Sequence, residues 1–400
     1  MRVVYLSASG HLGGAERCLL DLTAELRDTR PDCALHVVLG TRGPLSARLA
    51  VLDVPTTVLP IPAALVRVGA SGSRTLALGG RLAVAGLSLL RYRRHLARTL
   101  RDLVPDVIHG NGLTMHPLAG RAAPAGVPAV WHLHDFVRRR PLTRRLLRLD
   151  RRRCAAIIAS SAAVAADART VVGPGCAIHP VPSGVDLTAF SPDGPTVDLD
   201  RLAGLAPPTT AVVRVGLVAT MARSKGHEVF FQALARIPAA LPIRAYVVGG
   251  PSDRADAGQY SLDELRERAA RAGVAARVGF TGFVDEPASA MRALDVVVHA
   301  NTAPEPFGLV VAEAMACGRP VVMSAASGIA DYLVPERDVL TFAPGHAAAL
   351  AARLERLVSE EDLRHRLGKA GRLMAEHRFD RVRVGHAVAA IYDALSARPR

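Results

Sequence analysis

Asn301-Thr302-Ala303-Pro304-Glu305-Pro306-Phe307-Gly308-Leu309-Val310-Val311-Ala312-Glu313-Ala314-Met315-Ala316-Cys317-Gly318-Arg319-Pro320 is the stretch on which the fold of this chain turns. The apolar run Val296-Val297-Val298 leads into it and reads as a buried strand. A proline-rich loop follows, and the spacing predicts a helix from about Gly308 to Gly318, with Pro320 just beyond its end. The first turn of such a helix leaves N–H groups without intrahelical acceptors, and the helix dipole adds positive potential there, so an anion such as a phosphate is favoured. Glu305 stands ahead of that turn and Glu313 stands in the second turn. Carboxylates accept hydrogen bonds from sugar and ribose hydroxyls. Two of them flanking a phosphate cradle form a layout that suits a nucleotide-sugar.

The same alternation of strand and helix extends in both directions. Short Val/Ile/Leu-rich runs at 2–6, 34–39, 106–109, 129–133 and 156–159, and again at 212–218, 243–248, 277–280, 295–299 and 320–323, alternate with helical stretches. That pattern predicts buried parallel strands in an α/β fold. A length of 400 residues, half of them hydrophobic, fits a globular chain of two or three domains. Residues 191–210 carry Pro192, Pro195, Pro207 and Pro208 with little apolar pattern, which marks them as a linker. The last segment, 377–396, has helical apolar spacing through Val384, Val388, Ile391 and Leu395.

Composition excludes several classes. No apolar run is long enough to span a bilayer; the longest candidate, Leu82 to Leu90, is too short. The chain starts on the strand pattern Arg2-Val3-Val4-Tyr5-Leu6, without the marks of a secretory leader, so a cytoplasmic location is expected. Cys18, Cys33, Cys154, Cys176 and Cys317 are dispersed and form no CxxC pair, which reads as reduced thiols and not as a disulfide framework or zinc site. The net charge is +14, and lysine occurs only at Lys225 and Lys369. Arginines crowd 138–153, and a second run, Arg91, Arg93, Arg94, Arg98 and Arg101, follows the apolar stretch at 82–90. Basic clusters beside apolar residues suit an anionic membrane surface or an anionic acceptor, and equally a solvated helix face. No aromatic platform or helix-turn-helix pattern points to nucleic acid.

Glu305, seven residues and then Glu313, with Phe307-Gly308 between them and Glu-Ala-Met-Ala-x-Gly-x-Pro from Glu313, resembles the signature of retaining GT-B glycosyltransferases of family 4. The resemblance implies an α/β fold of two Rossmann-like domains facing a central cleft. It assigns 1–190 to acceptor binding and 191–210 to the linker. Residues 211–376 become the nucleotide-sugar domain, and 377–400 a helix packing back on the first domain. It implies transfer of a sugar from a UDP- or GDP-sugar to a hydroxyl of a glycan or lipid-linked acceptor, with retention of anomeric configuration. Glu313 then binds ribose and Glu305 binds the sugar and its developing positive charge. Lys225, Arg223 and the N–H groups of Phe307, Gly308, Leu309 and Val310 neutralise the diphosphate. No Asp-x-Asp metal motif accompanies these segments, and the basic residues and helix dipole are expected to replace a divalent cation, so neither metal nor cofactor is expected.

Four further segments match the family in part. Gly13-Gly14-Ala15-Glu16 is similar to its N-terminal loop on the acceptor side, although such glycines also serve any tight strand-to-helix turn. His134-Asp135 resembles its His-Asp loop, which places His134 at the edge of the sugar site; a structurally satisfied histidine is the other reading. In Thr220-Met221-Ala222-Arg223-Ser224-Lys225-Gly226, Lys225 fits the family pattern, Thr220 stands where the family has Arg, and Arg223 lies nearer the lysine. Gly249-Gly250 ends a strand, where close approach to the nucleotide is expected at Gly249. Val181-Pro182-Ser183-Gly184-Val185-Asp186 reads as a turn with Gly184 at positive φ, and Ser327-Gly328-Ile329-Ala330-Asp331 departs from the family's Gly-Gly-x-x-Glu. A nucleotide-sugar epimerase and a non-catalytic nucleotide-binding or membrane protein are the rival readings.

Overall fold

The computed structural model describes residues 1–62, 79–251 and 258–397, with the side chains of the third helix described from residue 86 onward. Residues 82–85 of the apolar stretch therefore have side chains outside the described residues. The first part of the chain runs β1 (Arg2–Ser7), α1 (Gly14–Thr29), β2 (Ala34–Leu39), α2 (Pro44–Val51), β3 (Thr56–Val58), α3 (Gly79–Leu103), β4 (Val107–Asn111), α4 (Met115–Ala122), β5 (Ala129–Leu133), α5 (Pro141–Asp150), β6 (Ala156–Ala159), α6 (Ala162–Val172) and β7 (Ala177–Pro180). The second part runs α7 (Leu199–Leu202), β8 (Val213–Val218), α8 (His227–Leu234), β9 (Ile243–Val248), α9 (Leu262–Arg271), β10 (Val278–Gly282), α10 (Pro287–Arg292), β11 (Val296–His299), α11 (Leu309–Ala316), β12 (Val321–Ser324), β13 (Leu340–Phe342), α12 (Ala347–Ser359), α13 (Glu361–Met374) and α14 (Arg381–Ser396).

These elements form two compact units, Met1–Gly184 together with the chain from Arg381, and Val185–Asp380. In the first, seven parallel strands lie in the order β3-β2-β1-β4-β5-β6-β7. Successive residues of a strand point to opposite faces, so Val3 and Tyr5 pack with Leu19, Leu22 and Leu26 of α1 and Tyr392 of α14. Val4 and Leu6 pack on the other face, with Leu96 and Leu100 of α3 and Met115 of α4. Burial on both faces is why β1 reads as an unbroken apolar run. The second unit repeats the plan with six parallel strands, β10-β9-β8-β11-β12-β13, again covered on both faces. Two sheets of this kind match the two Rossmann-like domains expected from the sequence.

The strands that escaped the sequence reading are β3, β7 and β13. Each is short and lies at a sheet edge, so none carries the long apolar run of a central strand. The proline-bearing stretch 191–210, read as a linker, lies within the second unit. There Asp200 of α7 is buried and accepts hydrogen bonds from Arg244 at 2.6 Å and from the Tyr246 hydroxyl at 2.7 Å. The division of the chain falls at 184/185 and 380/381, not at 190 and 377.

Gly184 does not take the positive φ expected of it. Its constraint is space: a Cβ there would lie 2.8 Å from the Cα of Arg381, where α14 begins. Gly184→Val should therefore destabilise the first unit by about 1–3 kcal/mol. Urea unfolding followed by a signal from buried Trp131 measures this, and an unchanged midpoint contradicts it.

Candidate functional site

In an open parallel sheet, ligands bind beyond the carboxyl ends of the strands where the winding reverses. In the second unit that point lies between β8 and β11, since β9 and β10 extend one way and β12 and β13 the other. The loop after β8 and the loop after β11 meet there. Gly226 has φ of +77° and backs directly onto the Ala300 carbonyl, so a side chain at this position would collide with backbone. The Thr302 N–H donates to the Ser224 carbonyl at 2.9 Å and ties the loops further.

This closeness delivers Lys225 to Glu305. The Lys225 ammonium donates to Oε1 of Glu305 at 2.7 Å, with the two side chains 25% and 18% exposed. Oε2 accepts from Nε2 of buried His299 at 2.5 Å and from the side-chain amide of Asn301. A hydrogen bond to a carboxylate requires the proton of His299 on Nε2. Its Nδ1 is buried without a partner among the described residues. Burial alone would raise the Glu305 pKa, but the His299 hydrogen bond and the Lys225 charge outweigh it and hold the group at about 2. The carboxylate is thus charged throughout the physiological range. Its contribution to stability is present above the ordinary carboxylate range and is lost as pH falls toward 2.

The main chain of Glu305 is pinned as well. Its N–H donates to the Ala326 carbonyl and its carbonyl accepts from Gly328 N–H, both at 2.9 Å. The Phe307 carbonyl accepts from the Ser327 hydroxyl at 2.5 Å and from Ile329 N–H at 2.7 Å. The segment that departs from the family pattern therefore clamps the loop before α11. Gly308 precedes the helix with φ of +105° and presses against the Ser327 hydroxyl, a position that suits glycine alone. Leu309 and Val310 open the helix and are half-buried, while Glu313 is 8% exposed. At the far end Arg372 donates to the Ala316 carbonyl at 2.6 Å, a cation on the negative pole.

Two further residues expected on the donor side have contacts of their own. Arg223 turns to Tyr260, with its guanidinium carbon 4.4 Å from the ring centre, and to Glu264 at 3.5 Å. Gly249, φ +138°, makes its close approach to the carbonyl of Ala219.

The first unit presents an analogous constellation at the ends of β1 and β4, between which its winding reverses. Gly13 precedes α1 and Gly14 is its first residue. Asn111, the last residue of β4, donates from its amide nitrogen to the Ala15 carbonyl at 3.1 Å, and its oxygen accepts from Nε2 of His134 at 2.8 Å. Asn111 thus joins the glycine turn to the predicted histidine. Behind His134, the His132 ring lies 4.0 Å away, centre to centre. Nδ1 of His132 is 3.1 Å from Nε2 of His109, whose Nδ1 meets the Tyr392 hydroxyl at 2.6 Å. His116 bonds the His132 carbonyl at 3.0 Å. Burial pushes all four histidines down, His109 and His116 to about 3, His134 to about 4, and His132 well below its usual value. All are neutral at pH 7. The sequence reading missed Asn111, His299 and Asn301; the available signal was a polar residue at or just beyond the end of an apolar strand.

Among the described residues no group of three His, Cys, Asp or Glu side chains is placed to hold a metal ion. Two family models match the chain: Glycosyltransferase Family 4 over residues 12–189, and Glycosyl transferases group 1 over residues 213–374. A D-inositol 3-phosphate glycosyltransferase of Jonesia denitrificans is 34% identical over 208 residues, covering 50% of this chain and 47% of the relative. A phosphatidyl-myo-inositol mannosyltransferase of Mycolicibacterium smegmatis is 33% identical over 227 residues, covering 54% and 52%. The chain thus spans about half the length of the curated relatives it matches. Among solved structures, Anabaena HepE in complex with UDP-glucose superimposes with a TM-score of 0.80 at 25% identity, over 98% of this chain and all of that one.

The buried histidines set an acid limit. Their native values lie below the unfolded value of about 6.5, so the unfolded chain binds more protons as pH falls, and stability drops by up to about 1.4 kcal/mol per pH unit for each histidine. Melting temperatures should fall steeply from pH 6.5 toward pH 4, and His109→Gln should flatten the slope. A profile unaffected by that substitution contradicts the assignment.

Proposed function

The chain belongs to the GT-B glycosyltransferases of group 1 and family 4, and from that premise we propose that it transfers a sugar from a nucleoside diphosphate sugar to an acceptor hydroxyl with retention of configuration. The observation that carries this reading is the charged, half-buried Glu305, held by Lys225, His299 and Asn301 at the entrance to α11. The acceptor oxygen replaces the diphosphate on the anomeric carbon, and the hydroxyl proton leaves with the diphosphate. Glu305 binds the sugar hydroxyls and offsets positive charge as the bond to the diphosphate lengthens. Glu313 binds the ribose. The ammonium of Lys225 and the N–H groups of Leu309 and Val310 receive the departing diphosphate in place of a metal ion. His134, neutral and oriented by Asn111, takes the edge of the sugar, and the Gly13-Gly14 turn takes the acceptor side.

HepE was solved with UDP-glucose, which makes UDP-sugars the first donors to test and GDP-sugars the second. The relatives named for inositol phosphate and phosphatidylinositol support a phosphorylated or lipid-linked acceptor. We place that encounter at an anionic membrane surface on the cytoplasmic side.

Nucleotide release from the donor measures the assignment. Lys225→Ala should lower kcat by about 10²–10³-fold. Glu313→Ala should remove activity mainly by raising KM for the donor. Retained turnover in both variants contradicts these roles. Activity should survive excess EDTA; strict dependence on added magnesium contradicts the metal-free scheme. The anomeric configuration of the product, read by NMR, tests retention.

A further inference from the structure

α3 and α5 both pack against α4 in the helical layer of the first unit. Each has an inward face and an outward face of a particular kind. On α5, Thr143, Leu147 and Asp150 are buried. Leu142, Arg145 and Leu149, at helical spacing on the other side, are exposed, the two leucines by 52% and 63%, and Arg152 of the turn that follows is exposed as well. On α3, Tyr92, Leu96 and Leu100 are buried, whereas Leu87, Arg91, Arg94 and Arg98 recur outward at the same helical spacing.

The charges on this surface are not neutralised from within. Arg139, Arg144, Arg145, Arg148, Arg151 and Arg152 have no carboxylate partner among the described residues. The carboxylate of α5 itself, Asp150, is buried and satisfied by Arg121 at 2.8 Å and Arg153 at 3.0 Å. Asp102, near the end of α3, is the one acidic residue of that helix. Exposed leucines set among unpaired arginines do not suit water or a folded protein partner of mixed charge. They suit a boundary that is anionic at its surface and apolar beneath, where leucines enter the acyl region and guanidinium groups meet phosphate. Among the described residues no helix is long and apolar enough to cross a membrane, so contact of this kind lies along the surface.

We propose that the outward faces of α3 and α5 form one docking surface for an anionic phospholipid bilayer, with Leu142 and Leu149 of α5 inserted at the headgroup boundary. This deepens the membrane-facing part of the proposed function. It is measured without donor or acceptor, so its failure leaves the sugar-transfer reading standing.

The experiment is co-sedimentation of the full chain with vesicles of phosphatidylcholine alone or with a third of phosphatidylglycerol, at low and high salt. Binding should require the anionic lipid and weaken with salt. The triple variant Arg144→Glu, Arg145→Glu, Arg148→Glu should lower the partition coefficient by about tenfold or more. Leu142→Ser with Leu149→Ser should lower it severalfold while the salt dependence stays. These side chains are exposed, so circular dichroism and melting of the variants should match the parent. Three results overturn the proposal: no binding to anionic vesicles, equal binding to neutral ones, or unchanged binding by the charge-reversed variant. Tighter binding to a short duplex nucleic acid than to vesicles at equal salt also overturns it.

Discussion

A carboxylate deprived of most of its water must be held by partners that supply what water no longer does, and at Glu305 those partners come from two separate loops. Lys225 arrives from the end of β8, and His299 and Asn301 from the end of β11. Removing either side would leave a largely desolvated charge, which costs more than the pair contributes. The local backbone follows from this demand. Gly226 lets one loop lie against the other, Gly308 turns the chain into α11, and the 326–329 segment fixes the register between them. The apolar strands beneath supply stiffness, and the site occupies the point where the sheet changes direction.

The first unit handles polar groups differently. Its histidines are buried without a carboxylate in their hydrogen-bonded chain, so they remain neutral and transmit orientation in place of charge. The chain from Tyr392 through His109 to His132 runs between the last helix and the middle of the sheet. Asn111 extends orientation to His134 and to the glycine turn. One unit thus concentrates a charge pair at its reversal point, while the other presents neutral donors and acceptors at the equivalent place. That division suits a donor with a diphosphate and an acceptor with hydroxyls.

Much of this was legible in the residues. The run from Asn301 to Pro320 carries its own punctuation, glycine at both ends of the helix and proline beyond, and the helix lies where that punctuation puts it. Central strands were legible because burial on two faces demands unbroken apolar runs. Edge strands β3, β7 and β13 were not, since a short strand with one free edge needs no such run. The stretch 191–210 misled because its prolines hide the inward-facing Leu199 and Asp200. The Tyr260 ring against which Arg223 lies is distant in sequence, so that contact was not legible. His299 and Asn301 were visible as letters, yet their role depends on which carboxylate the next turn brings back.

A crystal structure of the chain soaked with UDP tests the central claim most directly. The expected result places the diphosphate oxygens against the N–H groups of Leu309 and Val310 and the Lys225 ammonium, with the ribose on Glu313. A nucleotide bound elsewhere, with Lys225 and Glu305 still joined and the start of α11 bare, contradicts it.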